Sequence, residues 1–211
     1  MKIELKNIKY SEAMSEETLA FVANLYVEGK RAGSVKNDGH GGNTHYSGDH
    51  KEGWEMIRQA EAFTRSLPDK FYPKDEYMEA FSIPMNLEHY IDDLLNDYLQ
   101  KKELARFNKQ MEKAMEKSIV FGVAGESFAT ITFTSPLSKV LEHPKGAEIL
   151  VKAITEKILP KLAYCKILNN NIPESILKDA GLKENQYVTA QKPGPAIDNN
   201  EEADRSGGRK R

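Results

Sequence analysis

The chain is poor in residues that carry covalent or metal chemistry. One cysteine, Cys165, stands among 211 residues. A lone cysteine excludes an intrachain disulfide and any zinc site built on cysteines. Its apolar, strand-like surroundings mark it as a core residue rather than a nucleophile. There is no G-x-S-x-G elbow, no Walker pattern and no dinucleotide fingerprint, so the standard nucleophile turn and phosphate loops are missing. No apolar run approaches the roughly 20 residues that span a bilayer. The opening Met1-Lys2-Ile3-Glu4-Leu5-Lys6 holds no apolar signal core, and the expectation is a cytoplasmic protein without a membrane partner. An excess of one charge is missing too. Thirty Lys and Arg against 32 Asp and Glu leave a net charge of -2. That is too little to steer the whole molecule to nucleic acid, although a local basic patch survives such a balance.

What the chain does contain is hydrophobic patterning of two periods. Ile3 to Tyr10 alternates apolar and polar residues with a slip near Asn7, and Phe21, Ala23, Leu25 and Val27 fall on one face. Both read as strands. Glu28-Gly29-Lys30 reads as a tight reversal into a returning strand, Arg31 to Lys36. Lys51 to Leu67 has helical spacing and Pro68 stops it. Asp69 to Pro84, rich in proline and aromatics, reads as an irregular connection. Asn86 is placed to cap a helix whose stripe runs Leu87, Tyr90, Ile91, Leu94, Leu95, Tyr98 and on to Met115, as one helix or as two meeting near Lys101. Ser118 to Val123 and Ser127 to Thr134 read as strands joined at Gly125. Ser135-Pro136 then starts a helix with the serine as cap, and further helices follow to Pro160 and over Ile172 to Ala180, the last closed by Gly181. The expected fold is α+β. One antiparallel sheet takes both strand groups, with helices packed on one face. Residues 1–190 form a single domain with a sub-boundary near 68–86, and 191–211, which lack apolar content, form a disordered tail.

The segment that asks for a function is Asn37-Asp38-Gly39-His40-Gly41-Gly42-Asn43-Thr44-His45. Glycines let a ligand approach the main chain, and successive amides in such a loop can hold an anion. The expected binding residues are Lys36, Asn37, Gly39, His40, Gly41, Gly42, Asn43, Thr44 and His45. Arg31, Lys36 and Lys51 would offset the ligand's charge, and the ligand would be an anionic small molecule of the nucleotide kind. Three alternatives stand beside this. The glycines satisfy a turn and nothing more. His40 acts as acid or base, oriented by Asp38 or Asp49, in a phosphoester hydrolase. Or His40, His45 and Asp38 hold a divalent metal; otherwise no cofactor is implied.

Elsewhere the bland reading is the expectation. Glu88, Asp92, Asp93 and Asp97 line the long helix as a solvated face, His89 among them. His143 ends a helix, and Trp54 packs between helix and sheet, with Tyr46 and Tyr72 as further candidates to line a pocket. The Leu87–Met115 stripe covers the sheet or, alternatively, makes the chain a helix-mediated protein-interaction module, pairing with a second copy as a homodimer seam or gripping a host partner.

The runs Met14-Ser15-Glu16-Glu17-Thr18 through Asn37-Asp38-Gly39-His40-Gly41-Gly42, and His143-Pro144-Lys145-Gly146, resemble a family of small uncharacterised proteins from phages and mobile elements of gut bacteria. The resemblance covers most of the chain except the tail and carries no functional residues. It implies a setting: an accessory or counter-defence protein that sequesters a nucleotide signal or blocks a host protein.

Overall fold

The structure is a computed structural model that describes residues 1–189; the tail expected at 191–211 lies outside the described residues. The fold is α+β. The chain divides into two compact units, residues 1–103 and the remainder from Leu104, and the division falls inside the long helix. The proline-rich segment 68–86 lies within the first unit.

In the first unit, β1 (Ile3–Tyr10), β2 (Phe21–Val27), β3 (Lys30–Asn37) and β4 (His45–Gly48) form an antiparallel sheet in chain order. The β2–β3 reversal uses two positive φ angles, 49° at Glu28 and 76° at Gly29, the twist-matched geometry of a two-residue hairpin. Glu28 tolerates it because β1 holds it: its amide donates to the Lys2 carbonyl at 2.8 Å, and its carboxylate accepts from the Lys2 amide at 2.7 Å. The alternation slip near Asn7 is a bulge, with φ 54° at Asn7 and a register shift between Lys6 and Lys9. One sheet face buries Ile3, Phe21, Ala23, Leu25, Val27, Ala32 and Val35. Helix α1 (Lys51–Arg65) brings Ile57 and Ala60 to it, and α2 (Leu87–Met115) brings Leu87, Ile91 and Leu95.

One local expectation changes, and of the two alternatives for the long stripe the structure takes the first. The stretch after α1 is not irregular throughout: β5 (Lys70–Tyr72) and β6 (Phe81–Ile83) pair as a short hairpin, with Tyr72 stacked on Phe81 at 4.9 Å between ring centroids. The long stripe is one unbroken helix, α2.

In the second unit, β7 (Ser118–Val123) and β8 (Ser127–Thr132) do not join the first sheet. They form their own with β9 (Lys166–Ile167), in the order β8-β7-β9. Strand β7 is buried on both faces. Ile119 and Phe121 meet Leu137 of α3 (Leu137–Glu142), Leu150 of α4 (Gly146–Ala153) and Leu177 of α5 (Glu174–Asp179). Val120 on the other face joins Met115 and Leu168. Alternation marks a strand but not its partners, and the continuous apolar run of β7 is the sign of a strand covered twice. The expected Ser135 cap is not made: Pro136 holds the cap position of α3, whose first amide donates to the Glu116 carbonyl at 2.8 Å. Among the described residues no helix is long and apolar enough to cross a membrane.

Candidate functional site

The glycine-rich loop joins β3 to β4, and Asn37 at the end of β3 organises it. Asn37 is 8% exposed, and its side chain makes four hydrogen bonds. Its Oδ1 accepts from the Gly39 amide at 2.9 Å and from Thr18 Oγ1 at 2.8 Å; its Nδ2 donates to the Gly42 carbonyl at 3.0 Å and to Thr44 Oγ1 at 3.3 Å. Every polar valence of a buried amide is thereby satisfied, as burial requires.

Converging amides are present, but they belong to the facing turn. The N–H groups of Glu16, Glu17 and Thr18 all donate to the Gly39 carbonyl, at 3.0, 3.0 and 3.3 Å. Gly39 itself sits at φ 89°, and a Cβ there would overlap the Met14 carbonyl. The loop's own carbonyl fills this cup. Gly41, Gly42 and Asn43 form an exposed stretch whose amides make no hydrogen bond among the described residues.

The far end of the loop is anchored by acids. Thr44 is 4% exposed. Its amide donates to Glu88 Oε1 at 2.9 Å, and its hydroxyl donates to Asp92 Oδ1 at 2.7 Å. Glu88 and Asp92 therefore do not form a solvated face. One turn apart on α2, they border the buried stripe of Leu87, Ile91 and Leu95 and reach back to the loop. Burial pushes the Asp92 carboxyl up, the Thr44 hydrogen bond partly offsets that, and the nearby Glu88 charge adds to the rise.

Beside these groups lies a cavity of about 250 Å³, lined by Asn37, Gly42, Thr44, Asp92 and Asn96 on its polar side and by Leu19, Phe21 and Leu95 among its apolar walls. Of the expected binding residues, Asn37, Gly42 and Thr44 line it. Lys36 and His45 face each other across β3 and β4 on the outer side of the sheet. The exposed His40 approaches Glu16 (Nδ1–Oε2 3.2 Å) rather than Asp38 or Asp49; Asp38 lies 3.6 Å from Lys36, and Asp49 lies 2.8 Å from Arg31. Arg31 and Lys51 belong to the other end of the sheet, where β3 begins and β4 hands over to α1. His40, His45 and Asp38 are not gathered, and no group of three or more His, Cys, Asp or Glu able to hold a metal ion occurs among the described residues.

None of the aromatic candidates lines the cavity beside the loop; Tyr46 instead borders the shallow depression on the sheet that Lys36 and His45 share. Tyr46 donates to Glu61 Oε1 at 2.8 Å, and burial together with that carboxylate pushes its hydroxyl to about 12. Tyr72 is engaged with Phe81, and Trp54 packs over Gly48. His143 Nδ1 accepts from the Lys145 amide at 3.2 Å, between α3 and α4. The residues that sequence reasoning missed are Thr18, Glu88, Asp92 and Asn96. Their one signal is position: 88, 92 and 96 recur every four residues, each directly after a buried residue of the α2 stripe. No protein-family model, curated protein or solved structure matches the chain.

Proposed function

We propose that the first unit is a binding module for a small molecule of the nucleoside or nucleotide class, which enters the cavity beside the glycine-rich loop. The supporting observation is the Asp92 carboxylate, held at the cavity wall by Thr44 and partly desolvated there. A carboxylate in such a place accepts hydrogen bonds strongly. It selects ligand groups that donate, such as sugar hydroxyls or a base amino group, and it repels phosphate. The side-chain amide of Asn96 supplies a second polar contact, while Phe21 and Leu95 offer apolar surface to a ring. Asn37 and Thr44 spend their hydrogen bonds on the loop and act as positioning residues. The volume suits one base or sugar rather than a larger ligand. A phosphate attached to that ligand stays outside, within reach of the exposed Gly41, Gly42 and Asn43, whose amides make no hydrogen bond among the described residues. With the sequence resemblance to phage and mobile-element proteins, the reading extends to sequestration of a nucleotide signal in a host cytoplasm.

Calorimetry with a panel of nucleosides, mononucleotides and cyclic nucleotides tests this. The parent chain is expected to bind at least one. Asp92→Asn and Gly42→Leu are each expected to weaken that binding at least tenfold, about 1.4 kcal/mol. A Cβ at Gly42 meets nothing within 4 Å, so the latter obstructs the cavity without breaking the loop. Absence of binding across the panel, or full affinity in both variants, overturns the proposal.

A further inference from the structure

The helices of the first unit cover one face of its four-stranded sheet, and the register shows what the other face carries. Lys9 pairs with Val22, Val22 with Lys36, and Lys36 with His45, making one row across all four strands. The next row is Lys6, Asn24, Ser34 and Ser47. Beyond it, Tyr26 pairs with Glu4 on one side and Arg31 on the other. This face therefore collects Lys6, Lys9, Arg31, Lys36 and His45 in a chain whose net charge is -2.

Of the acids near it, Glu4 is answered from outside that set by Lys2 at 2.9 Å, whereas Asp49 lies 2.8 Å from Arg31 and the exposed Asp38 3.6 Å from Lys36, cations of the face itself. Lys6 and Lys9 have no carboxylate partner among the described residues. Lys6 instead lies over the Tyr26 ring, 4.4 Å from its centroid. Between the cations lie the small polar Asn24, Ser34 and Ser47 and the exposed Val22. Ser34 and Ser47 share a hydrogen bond at 3.1 Å, and Val22, Asn24, Ser34, Lys36, His45 and Ser47 line a shallow depression of about 320 Å³.

We propose that this open sheet face binds the phosphodiester backbone of a single-stranded nucleic acid. Charge complementarity is the argument for a polyanion. Strands about 4.8 Å apart set Lys9 and Lys36 about 10 Å from one another, with Lys6 a row further along, so the cations form a spread track rather than a point site for one phosphate. A duplex is disfavoured by shape: its major groove admits a helix or a two-stranded ribbon, whereas this face is four strands wide. An open sheet of this width suits an extended strand, which lays its backbone on the cations and turns bases toward small polar side chains. A membrane surface is disfavoured because Val22 is the one large exposed hydrophobe in these rows, leaving no apolar group set to insert. The proposal is independent of the cavity, whose lining includes none of these residues.

Fluorescence anisotropy with labelled oligo-dT and oligo-U of about 15 nucleotides tests it on the full chain. Binding is expected at about 50 mM salt and should weaken on the order of tenfold at about 200 mM, as release of roughly three counterions requires. The double variant Lys6→Glu, Lys9→Glu, at two exposed positions, should lose at least tenfold while keeping the parent's thermal melt. Asp92→Asn should bind the oligonucleotide as the parent does, which separates this face from the cavity. Poly-glutamate and phosphatidylserine vesicles serve as competitors. Failure of the parent to bind either oligonucleotide, undiminished binding by the double variant, or displacement by poly-glutamate or vesicles as effective as by unlabelled oligonucleotide each overturns the proposal.

Discussion

Gly39 and Gly42 stand three residues apart in one loop, and the structure asks opposite things of them. Gly39 combines φ 89° with a carbonyl that three amides share, and a Cβ there would overlap the Met14 carbonyl. Gly39→Ala is expected to cost on the order of 3 kcal/mol in urea unfolding, through strain and displacement of the 16–18 turn. Gly42→Ala, with open space at its Cβ, is expected to stay within about 0.5 kcal/mol of the parent. Equal effects of the two would contradict the assigned loop geometry. Asp92 adds a pH-dependent case. Its carboxyl holds a proton more tightly in the folded state than in the unfolded one, so its ionisation weakens folding. That penalty is absent below the ordinary aspartate range, grows as pH rises through it, and is complete above the raised folded value. Asp92→Asn retains an acceptor for Thr44 and removes the charge. It is expected to raise Tm by a few degrees at neutral pH, with the gain shrinking toward zero as pH falls below the aspartate range. A gain that persists unchanged in acid would mean another cause. A gain that fades in acid, at a residue bordering a cavity, would be the pattern of a position kept for binding at a cost in stability.

At the scale of elements, helix α2 shows how a local signal and a distant one combine. Its start was legible: Asn86 Oδ1 accepts from the His89 amide at 2.8 Å, the bond expected of an N-cap three residues ahead. Asn86→Ala should cost about 1 kcal/mol, and since Glu88 and Asp92 lie in the first two turns, it should also weaken ligand binding at the cavity. A stability loss without any change in affinity would show that the cap does not position those carboxylates. The buried stripe of α2 and the inward residues of β2 were equally legible, because burial imposes a period on the sequence. What could not be read was the use of the flanking acids. Thr44 and Asp92 are 48 residues apart, and no period links a loop hydroxyl to a helix carboxylate. The same limit hid the cup around the Gly39 carbonyl, which needs the 16–18 turn brought against the loop. The β5–β6 hairpin escaped for a different reason. Three-residue strands between prolines offer too few positions to establish alternation, and its stability rests on the Tyr72–Phe81 stack and an ion pair between Lys70 and Asp93.

At the scale of the whole molecule, the described residues form two large apolar cores, one around Leu25, Ile57, Leu87 and Ile91 and one around Ile119, Leu137, Leu150 and Ile154, and a smaller cluster of Met115, Val120 and Leu168. Charge contributes little to stability. Apart from the part-buried Lys70–Asp93, ion pairs such as Lys152–Glu156 and Lys74–Glu79 lie at the surface, where each is worth about 0–1 kcal/mol before screening. The sheet's basic face adds mild repulsion among its own lysines, and salt relieves it. These two small effects oppose each other. The urea midpoint is therefore expected to move little, by less than about 1 kcal/mol in stability, between low salt and about 0.5 M sodium chloride, where the screening length falls to a few ångströms. Oligonucleotide affinity, which depends on unscreened lysines, is expected to collapse over the same range. The contrast assigns the charges their task. If salt lowered stability by several kcal/mol, the surface pairs would be holding the fold together, and Arg31 and Lys36, paired with Asp49 and Asp38, would have to be read as structural rather than as part of a track for phosphates.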